Sequence, residues 1–532
     1  MHRAITRIPV RRRATGVLAA VAAASLAVAG CGGSSSASTG AGAAGVAAFV
    51  PAGSPVYFEF STAADGAQWR QALALAKRFP GYEKAISSVT GNLASEGIDF
   101  ANEIKPLLGS SAAVGVLDIT GLGVNQKASA VMALDLADGK DADAVKLIQS
   151  GKDPAAKIGE HDGVALYGDK NAVIAVLDGT ALFSDTKDNV NRAIDAHRGG
   201  KAQTMAGSAR LDQAFADLPD EVLAQGFVDV GALLKIAESE GGSAVAKQLA
   251  TSGVGADASL GVSVSAEADG VRIKAVGRSL GSGYGAGESF TPTLVDHVPA
   301  DALAYIGVKN LYSAGEKLVA QLGSQNPEIK TSLSKASLAL PLLGINLDDI
   351  KGLTSLEHAI VVTKGTPTPG VVAALQVAEP AKAKATLDQL RKSAPPLLAA
   401  SGKKIPPFTA VQLANGVSGW QSAIDPRAGV VYGVDGNLAL IGTRPEAIKA
   451  VQEPASKLSD DPAFQAATRQ MPSKVDSFVW VNGEELLPNL EALGVLKNAP
   501  KDTVPNLRPI KNLAAWSTGG DAPTFEAFVT IK

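Results

Sequence analysis

The stretch that decides the fold is VPAGSPVYFEF, residues 50–60, because the chain repeats it as VPADALAYIGV at residues 298–308. The two copies align Tyr57 with Tyr305. Four further segments recur in the same order, displaced by about 240 to 257 residues. A period of this length is typical of domain duplication, since solenoid repeats run about 20 to 50 residues. The sequence therefore predicts two tandem homologous domains.

The four other matches extend the alignment along both halves. They are GIDFANEIK from Gly97 with GINLDDIK from Gly344, VMALDLAD (131–138) with VAALQVAE (372–379), VLDGTALFSDTKDNVNRAI from Val176 with GVDGNLALIGTRPEAI from Gly433, and FVDVGALL from Phe227 with FVWVNGEELL from Phe478. The alignment pairs Asp178 with Asp435 and Phe227 with Phe478. A one-residue slip would move a strand side chain to the other face, so these anchors test the alignment sharply.

Short Val/Ala/Leu-rich runs in each half predict strands, and amphipathic runs between them predict helices. The strand candidates of the first half are 112–118, 128–136, 171–178 and a hairpin over 261–277 that turns at Asp269-Gly270. Helix candidates include GAQWRQALALAKRFP, in which Trp69 lies on the apolar face and Pro80 ends the run. Several strands follow one another with no helix long enough for a parallel crossover. We therefore expect an α+β fold with an antiparallel or mixed sheet packed against helices in each domain.

The N-terminus has the features of an export signal. Five arginines and no acidic residue precede an Ala/Val-rich run that ends at Cys31, the only cysteine of the chain. A basic region followed by a short apolar region is typical of a signal peptide, and Val28-Ala29-Gly30-Cys31 is similar to the lipobox of bacterial lipoproteins. We expect cleavage after residue 30 and lipidation of Cys31. Export by the general or by the twin-arginine route stays open.

A lipid on Cys31 would anchor the protein to a membrane, with the folded domains following in the chain. Two acyl chains bind a membrane stably, at about 0.8 kcal/mol per buried CH₂. The predicted organisation is a signal peptide at 1–30, a flexible Gly/Ser/Ala stalk at 31–48, domains at 49–280 and 291–532, and a Gly-rich connector at 281–290. The expected location is the extracytoplasmic face of a bacterial cell membrane.

Charge and composition argue against several classes of partner. Without the five N-terminal arginines, the 49 basic residues fall to 44 against 52 acidic residues, a net charge of −8. An acidic chain lacks the basic surface by which nucleic acids are bound. Only 5% of the residues are aromatic, so few rings are expected to be free for stacking on ligands, and we expect each of the four tryptophans to pack in a core.

No motif in the sequence predicts catalysis. Ser279 lies in GRSLG, which has the spacing of a nucleophile elbow, but the glycine-rich sequence after it does not favour the required helix. The same glycines lack the Lys-Ser/Thr of a phosphate-binding loop. The five histidines are far apart, and His297 is interpreted as a cap beside a strand. The acidic pairs are interpreted as residues of helix starts; they are Asp348-Asp349, Asp460-Asp461 and Glu484-Glu485. No catalytic, metal-binding or cofactor-binding residue is predicted.

The VPA openings, the duplicated α+β unit and the segment ending at Cys31 resemble a family of secreted bacterial lipoproteins known only as a domain of unknown function. The resemblance extends from about residue 48 to the C-terminus. The first copy departs from the second in having Gly53 where the second has Asp301. The resemblance implies a role in the cell envelope and supplies no catalytic residues.

Taken together, these features predict a membrane-anchored envelope lipoprotein that acts as a non-enzymatic binding or scaffold module. Its expected partners are the membrane, through Cys31, and an envelope protein or an apolar ligand. One alternative is a carrier of a lipid or other apolar ligand, because sheets packed with helices can enclose a pocket lined by Ala, Val and Leu. Another is a hydrolase whose site is assembled only in the folded chain.

Overall fold

A computed structural model describes residues 45–95, 97–120, 127–150, 154–169, 171–239, 254–281, 287–313, 344, 346–366, 368–400, 406–423 and 429–532. These residues form two compact units that divide between Leu280 and Gly281. The predicted signal peptide and Cys31 lie outside the described residues. No helix in the described ranges is long and apolar enough to cross a membrane.

Unit 1 is built on ten described strands. They are β1 Val56–Ser61, β2 Leu108–Thr120, β3 Lys127–Leu136, β4 Lys157–His161, β5 Val164–Gly168, β6 Val173–Leu177, β7 Thr180–Ser184, β8 Ala224–Asp229, β9 Ser259–Glu267 and β10 Gly270–Arg278. Every pairing between them is antiparallel, in the order β4-β5-β6-β7-β3-β2-β1-β8-β9-β10.

Unit 2 also contributes ten described strands. They are β11 Ala304–Lys309, β12 Glu357–Thr363, β13 Gly370–Gln376, β14 Thr409–Gln412, β15 Ser418–Ala423, β16 Gly429–Asp435, β17 Leu438–Gly442, β18 Ser477–Asn482, β19 Ile510–Thr518 and β20 Thr524–Ile531. They pair antiparallel in the order β14-β15-β16-β17-β13-β12-β11-β18-β19-β20. This order matches that of unit 1 strand for strand.

Helices fill the connections between strands in both units. Those described in unit 1 are α1 Ala67–Ala76, α2 Tyr82–Ser95, α3 Asp141–Ile148, α4 Lys187–Arg198, α5 Ala209–Phe215 and α6 Val230–Ser239. Those described in unit 2 are α7 Leu347–Thr354, α8 Pro380–Ala400, α9 Pro445–Gln452, α10 Pro462–Ala467, α11 Gly483–Ala492 and α12 Thr503–Leu507. The predicted α+β class and the antiparallel pairing are confirmed.

The register of the central strands differs from the sequence alignment at one anchor. Tyr57 on β1 lies opposite Phe227 on β8, whereas Tyr305 on β11 lies opposite Trp480 on β18, and Phe478 lies opposite Gly307. By register, Phe227 therefore corresponds to Trp480 and not to Phe478. A shift of two residues keeps a side chain on the same face of a strand, so hydrophobic patterning could not detect it.

The hairpin turns are shifted by one residue, so the predicted correspondence of Asp178 with Asp435 is wrong as well. In unit 1 Leu177 pairs with Thr180, which leaves Asp178-Gly179 as a two-residue turn. In unit 2 Asp435 itself pairs with Leu438 and still belongs to the strand. The hairpin of β9 and β10 turns at residues 268–269, one residue before the predicted position, because Glu267 pairs with Gly270.

The core of unit 2 is an aromatic cluster on one face of its sheet. The fully buried rings of Tyr305, Phe478, Trp480, Trp516 and Phe528 lie together there. We call this the inner face in unit 2 and use the same name for the face of the unit 1 sheet that carries Tyr57.

In unit 1, a glycine lets a helix pack directly on the sheet. At Gly261 on β9, the carbonyl of Ala214 from α5 occupies the space that any Cβ would need.

Each unit begins earlier in the chain than the sequence predicted. Val46–Phe49 forms a 3-10 helix in which Val46 and Phe49 are buried, so unit 1 begins within the predicted stalk. Phe290 is buried and pairs with Val475, so the last residues of the predicted connector belong to unit 2. Short segments of this kind look like linker in sequence and are ordered by tertiary contacts.

Candidate functional sites

The outer faces of the two sheets expose aliphatic and aromatic side chains near the centre of each unit. On unit 2, Ile306 and Ile360 lie directly opposite each other on β11 and β12 and are 41% and 44% exposed. Val371 on the neighbouring strand β13 is 40% exposed. We call these three residues the apolar strip. Exposed apolar side chains in adjoining positions are typical of interaction surfaces, whereas scattered ones are not.

The apolar strip lies beside a part of the outer face that is covered. There, Leu353 of α7 and Leu387 of α8 pack with Leu375, Tyr432 and Ala439 of the sheet. Arg391 of α8 lies over the ring of Trp420 at 4.0 Å from its centroid and donates through Nε to the Tyr432 hydroxyl at 2.9 Å. The helices thus bury the outer face over β13, β16 and β17, and the strip is the exposed continuation of that apolar surface.

Unit 1 has a related feature at the same register. Phe58 on β1 corresponds to Ile306, is 37% exposed, and lies opposite Val114. Its ring lies against Gly226 of β8, where any Cβ would overlap the ring. The outer face of the central strands is therefore apolar in both units.

The inner faces carry a tyrosine that donates to a carboxylate, and the carboxylate comes from different strands in the two units. In unit 1 the Tyr57 hydroxyl donates to Oε2 of Glu59 at 3.1 Å, and Gln225 Nε2 donates to the same oxygen at 3.3 Å. Burial raises the pKa of Glu59, and its hydrogen bonds only partly offset this effect. Burial also raises the pKa of Tyr57 well above its ordinary value.

In unit 2 the carboxylate is Glu357 on β12, because Gly307 occupies the position that corresponds to Glu59. Glu357 is 4% exposed and accepts hydrogen bonds from the backbone N–H groups of Thr293 and Leu294 at 2.9–3.0 Å. The Thr293 hydroxyl donates to it at 2.5 Å and the Tyr305 hydroxyl at 3.5 Å. Glu357 thus holds the segment before β11 onto the sheet, which is a structural role.

The residues considered for catalysis are not brought together. Ser279 follows β10 with a φ of 51°, and its hydroxyl donates to Asp257 Oδ2 at 2.9 Å. Among the described residues, no serine or threonine hydroxyl contacts a histidine. His358 is buried on β12, where it donates from Nε2 to the carbonyl of Leu353 at 3.2 Å, and burial lowers its pKa. Within the same ranges, no group of three or more potential ligands could hold a metal ion.

Two histidines of unit 1 lie beside carboxylates near the end of α4. His161 Nε2 is 2.6 Å from Asp195 Oδ1, and His197 Nε2 is 3.1 Å from Asp178 Oδ2. His297 ends a 3-10 helix over Leu294–His297. The remaining histidine, His2, lies outside the described residues.

Most of the acidic pairs lie at helix starts, as predicted, and most of the tryptophans are buried, as predicted. Asp348-Asp349 and Glu484-Glu485 lie in the first turns of α7 and α11, and Asp461 caps α10 by accepting from the Phe464 N–H at 2.8 Å. Trp69, Trp480 and Trp516 are buried. Sequence reasoning missed Glu59, Glu357 and the apolar strip. Only the in-phase spacing of Tyr57 and Glu59 on a strand could have indicated one of them.

The fold defines an α+β protein whose described strands form extended antiparallel sheets. A family profile described as "Protein of unknown function (DUF3352)" matches residues 14–527, and the chain belongs to this family. A search of curated proteins finds no match.

Among solved structures, three crystal forms of TP0453 are similar over part of the chain. Form III is 7% identical with a TM-score of 0.25, form I is 8% identical with 0.24, and form IV is 10% identical with 0.22. The similarity covers 44%, 44% and 45% of this chain and 79%, 79% and 92% of the respective structure.

Proposed function

We propose that this protein is a lipid-anchored module on the extracytoplasmic face of a bacterial membrane that binds an apolar surface of another envelope component and catalyses no reaction. The observation that carries the proposal is the apolar strip on unit 2. Two isoleucines face each other across adjacent strands and remain more than 40% exposed. Leaving such side chains in water is unfavourable by about 25 cal/mol per Å², so binding a complementary apolar surface would be favourable.

The tether is supported by the position of Cys31 relative to the folded body. Cys31 ends an Ala/Val-rich run preceded by arginines, as in a lipoprotein signal peptide. The first described helix begins at Val46, which is 1% exposed. The residues between them are small and polar, which suits a flexible linker between the lipid and unit 1.

We also propose that the two units arose by tandem duplication. The proposal is supported by the shared strand order, by the buried tyrosines Tyr57 and Tyr305 at corresponding positions, and by the apolar outer face of both units. Antiparallel sheets of ten strands allow many orders, so an identical order in both halves argues for common origin.

Replacing Cys31 by serine is expected to leave an intact, uncleaved precursor, because lipid attachment to sulfur precedes cleavage in a lipoprotein. Partitioning of the protein into a detergent phase and processing that globomycin blocks would be measured. The wild-type chain should enter the detergent phase and Cys31→Ser should show no processed form. Release of a soluble wild-type chain with unmodified Cys31 would rule out the tether.

Replacing Ile306 and Ile360 together by threonine is expected to abolish partner binding at the apolar strip without unfolding unit 2. Threonine keeps the β-branched shape but adds a hydroxyl, and at exposed positions the free energy of unfolding should change by no more than about 0.5 kcal/mol. The matched control is Val495→Thr, at a residue 63% exposed after α11 and outside the sheet. Denaturant unfolding checks the stability.

A photo-crosslinking residue at position 306 in living cells identifies what the strip contacts, with position 495 as the control. We expect a protein adduct at 306 that is lost when Ile360 is replaced by threonine. A lipid adduct would instead support the second candidate, a carrier of an apolar ligand, which is favoured by the purely aliphatic character of the strip. Equal labelling at 306 and 495 would contradict both.

A further inference from the structure

The connection between β18 and β19 exposes its apolar side chains. It contains α11 and α12, and residues 483–508 include six leucines and two valines, none of them buried. By contrast, α9 and α10 of the same unit bury apolar residues in its core. A helix on the surface of a globular protein normally turns its apolar stripe toward the core. The helices α11 and α12 instead leave much of their apolar surface in contact with solvent.

This exposure is greatest between the two helices, at residues 493–501, which we call the α11–α12 turn. Val495 is 63% exposed, the largest value among the exposed large apolar side chains of the described residues, and Leu493 is 40% exposed. Leu507, in the last turn of α12, is 38% exposed. Leu493 and Val495 flank Gly494, so they form a patch, and exposed apolar patches are typical of interaction surfaces.

The α11–α12 turn is ordered by backbone hydrogen bonds. Gly494 has a φ of 71°, and its N–H donates to the carbonyl of Glu491 at 2.9 Å. The Val495 N–H donates to the carbonyl of Leu490 at 3.1 Å. These two bonds form the Schellman motif, in which the residue in the place of Val495 frequently packs back on the helix. Its exposure here therefore belongs to a hydrogen-bonded helix end and not to a loose loop.

Two lysines lie in the same turn as the exposed apolar residues. A Cβ on Gly494 would lie 2.7 Å from Cε and 3.2 Å from Nζ of Lys497. The Lys497 side chain therefore lies along the backbone between Leu493 and Val495. Lys501 is exposed at the end of the turn. Aliphatic side chains and positive charges are thus combined on one short segment.

These two charges are not neutralised by neighbouring acids. The α11–α12 turn itself contains no acidic residue. The nearest acids along the chain are Glu491, whose Oε1 lies 3.6 Å from Nη2 of Arg508, and Asp502, which directly precedes α12. In the part of the chain that the structure describes, neither Lys497 nor Lys501 forms an ion pair. The turn therefore presents two positive charges to a partner.

Exposed aliphatic side chains beside unpaired lysines suit a lipid headgroup surface better than a protein surface. Lysine is depleted at protein–protein interfaces. Segments that lie in a membrane interface, in contrast, combine Leu with Lys or Arg. Each lysine near an anionic lipid surface strengthens binding about fivefold. The composition of the turn thus favours a bilayer as its partner.

We propose that the α11–α12 turn contacts the surface of a bilayer that contains anionic lipid. Leu493 and Val495 enter the boundary between headgroups and acyl chains, and Lys497 and Lys501 meet the lipid phosphates. Two aliphatic side chains and two charges bind weakly on their own, but a chain already held at the membrane by Cys31 brings the turn to the bilayer at a high effective concentration. The proposal takes the tether from the proposed function and does not depend on the apolar strip.

The test is quenching of a nitrobenzoxadiazole label on Val495→Cys in the full chain, reconstituted into vesicles of phosphatidylcholine and phosphatidylglycerol. Lipids that carry a spin label near the headgroups quench a fluorescent label that enters the bilayer. Leu347→Cys is the matched control, because Leu347 is 38% exposed but is followed by Asp348-Asp349. We expect strong quenching at position 495 and none at position 347, with labelled wild type giving the background from Cys31.

Replacing Lys497 and Lys501 together by glutamine is expected to lower the ratio of bilayer-bound to free label about twenty-five-fold, which is about fivefold for each lost charge. Both lysines are exposed, so the fold should not change. Equal quenching at positions 495 and 347 would overturn the proposal. Quenching at 495 that is unchanged in the double variant, or in vesicles of phosphatidylcholine alone, would also overturn it, because the charges would then have no role.

The tether is measured separately, by retention of the chain on the vesicles. A retained chain without quenching at position 495 overturns this proposal and leaves the tether standing, whereas unmodified Cys31 with a quenched label at 495 does the reverse. In living cells, a photo-crosslinking residue at 495 should give lipid adducts only, so it remains a control for protein adducts at position 306. A protein adduct at 495 would assign the turn to a protein partner and overturn the proposal.

Discussion

Replacing Trp480 by alanine is expected to lower the free energy of unfolding of unit 2 by about 3–5 kcal/mol. Trp480 is 1% exposed, lies opposite Tyr305, and packs edge-on against Phe464 at 5.2 Å between ring centroids. Its removal leaves a cavity among aromatic rings that cannot collapse without moving β18. Denaturant unfolding followed by far-UV circular dichroism measures the change, and a loss below about 1 kcal/mol would contradict the packing described here.

Trp480→Phe is the matched control, because phenylalanine is what unit 1 has at this register in Phe227. Within the described part of the chain, the Trp480 indole N–H has no hydrogen-bond acceptor although it is buried. A buried donor without an acceptor costs about 1–3 kcal/mol. Phenylalanine removes this donor, and the energy recovered offsets part of the packing energy lost with the larger ring. We expect Trp480→Phe to cost less than about 1.5 kcal/mol. A cost equal to that of alanine would show that the indole shape itself is needed.

Replacing Glu357 by glutamine is expected to destabilise unit 2 by about 3 kcal/mol. The two carboxylate oxygens accept from two backbone N–H groups and two hydroxyls, and the amide nitrogen of glutamine would face these donors with a donor of its own. Hydrogen exchange should increase at Thr293 and Leu294 before it increases in the sheet. Unchanged protection of these two amides would contradict the holding role of Glu357.

Glu59→Gln in unit 1 is the contrast to Glu357→Gln. Tyr57 and Gln225 donate to the Glu59 carboxylate from their side chains and not from the backbone. Burial raises the pKa of Glu59, so the ionised form is disfavoured in the folded state. Its contribution to stability is thus fully present in acid and is lost as the pH rises through the raised pKa. We expect Glu59→Gln to be neutral in acid and stabilising at pH 7, measured by hydrogen exchange in unit 1. A destabilised variant at pH 7 would show that the negative charge is needed.

The prediction of fold class succeeded because the strands of this chain have clear patterns. Successive strands separated by turns leave no room for parallel crossovers, so an antiparallel or mixed sheet followed from the lengths of the connections. The register did not follow, as the pair Phe227 and Phe478 shows. FVDVGALL and FVWVNGEELL both begin with Phe-Val, but the second has two more residues before its helix, and either alignment places apolar residues inside.

The candidate sites were beyond sequence reasoning for a related reason. Ile306 and Ile360 look like ordinary strand residues, and their exposure depends on how far α7 and α8 extend over the outer face. Glu59 and Glu357 occupy different strands, so no alignment of the halves places one on the other. Glu59 meets Tyr57 two residues along the same strand, whereas Glu357 reaches Tyr305 from the adjacent strand.

By itself, the sequence determined the α+β class, a sheet that is not purely parallel, and the helix starts marked by acidic pairs. These depend on local periodicity and on residues next to one another in the chain, which sequence records directly. Tertiary structure alone decided the strand register, the partners of the buried carboxylates and the exposure of the apolar strip. Each of these depends on atoms brought together from distant segments, and side-chain alternation repeats every two residues, so the sequence leaves such contacts undetermined.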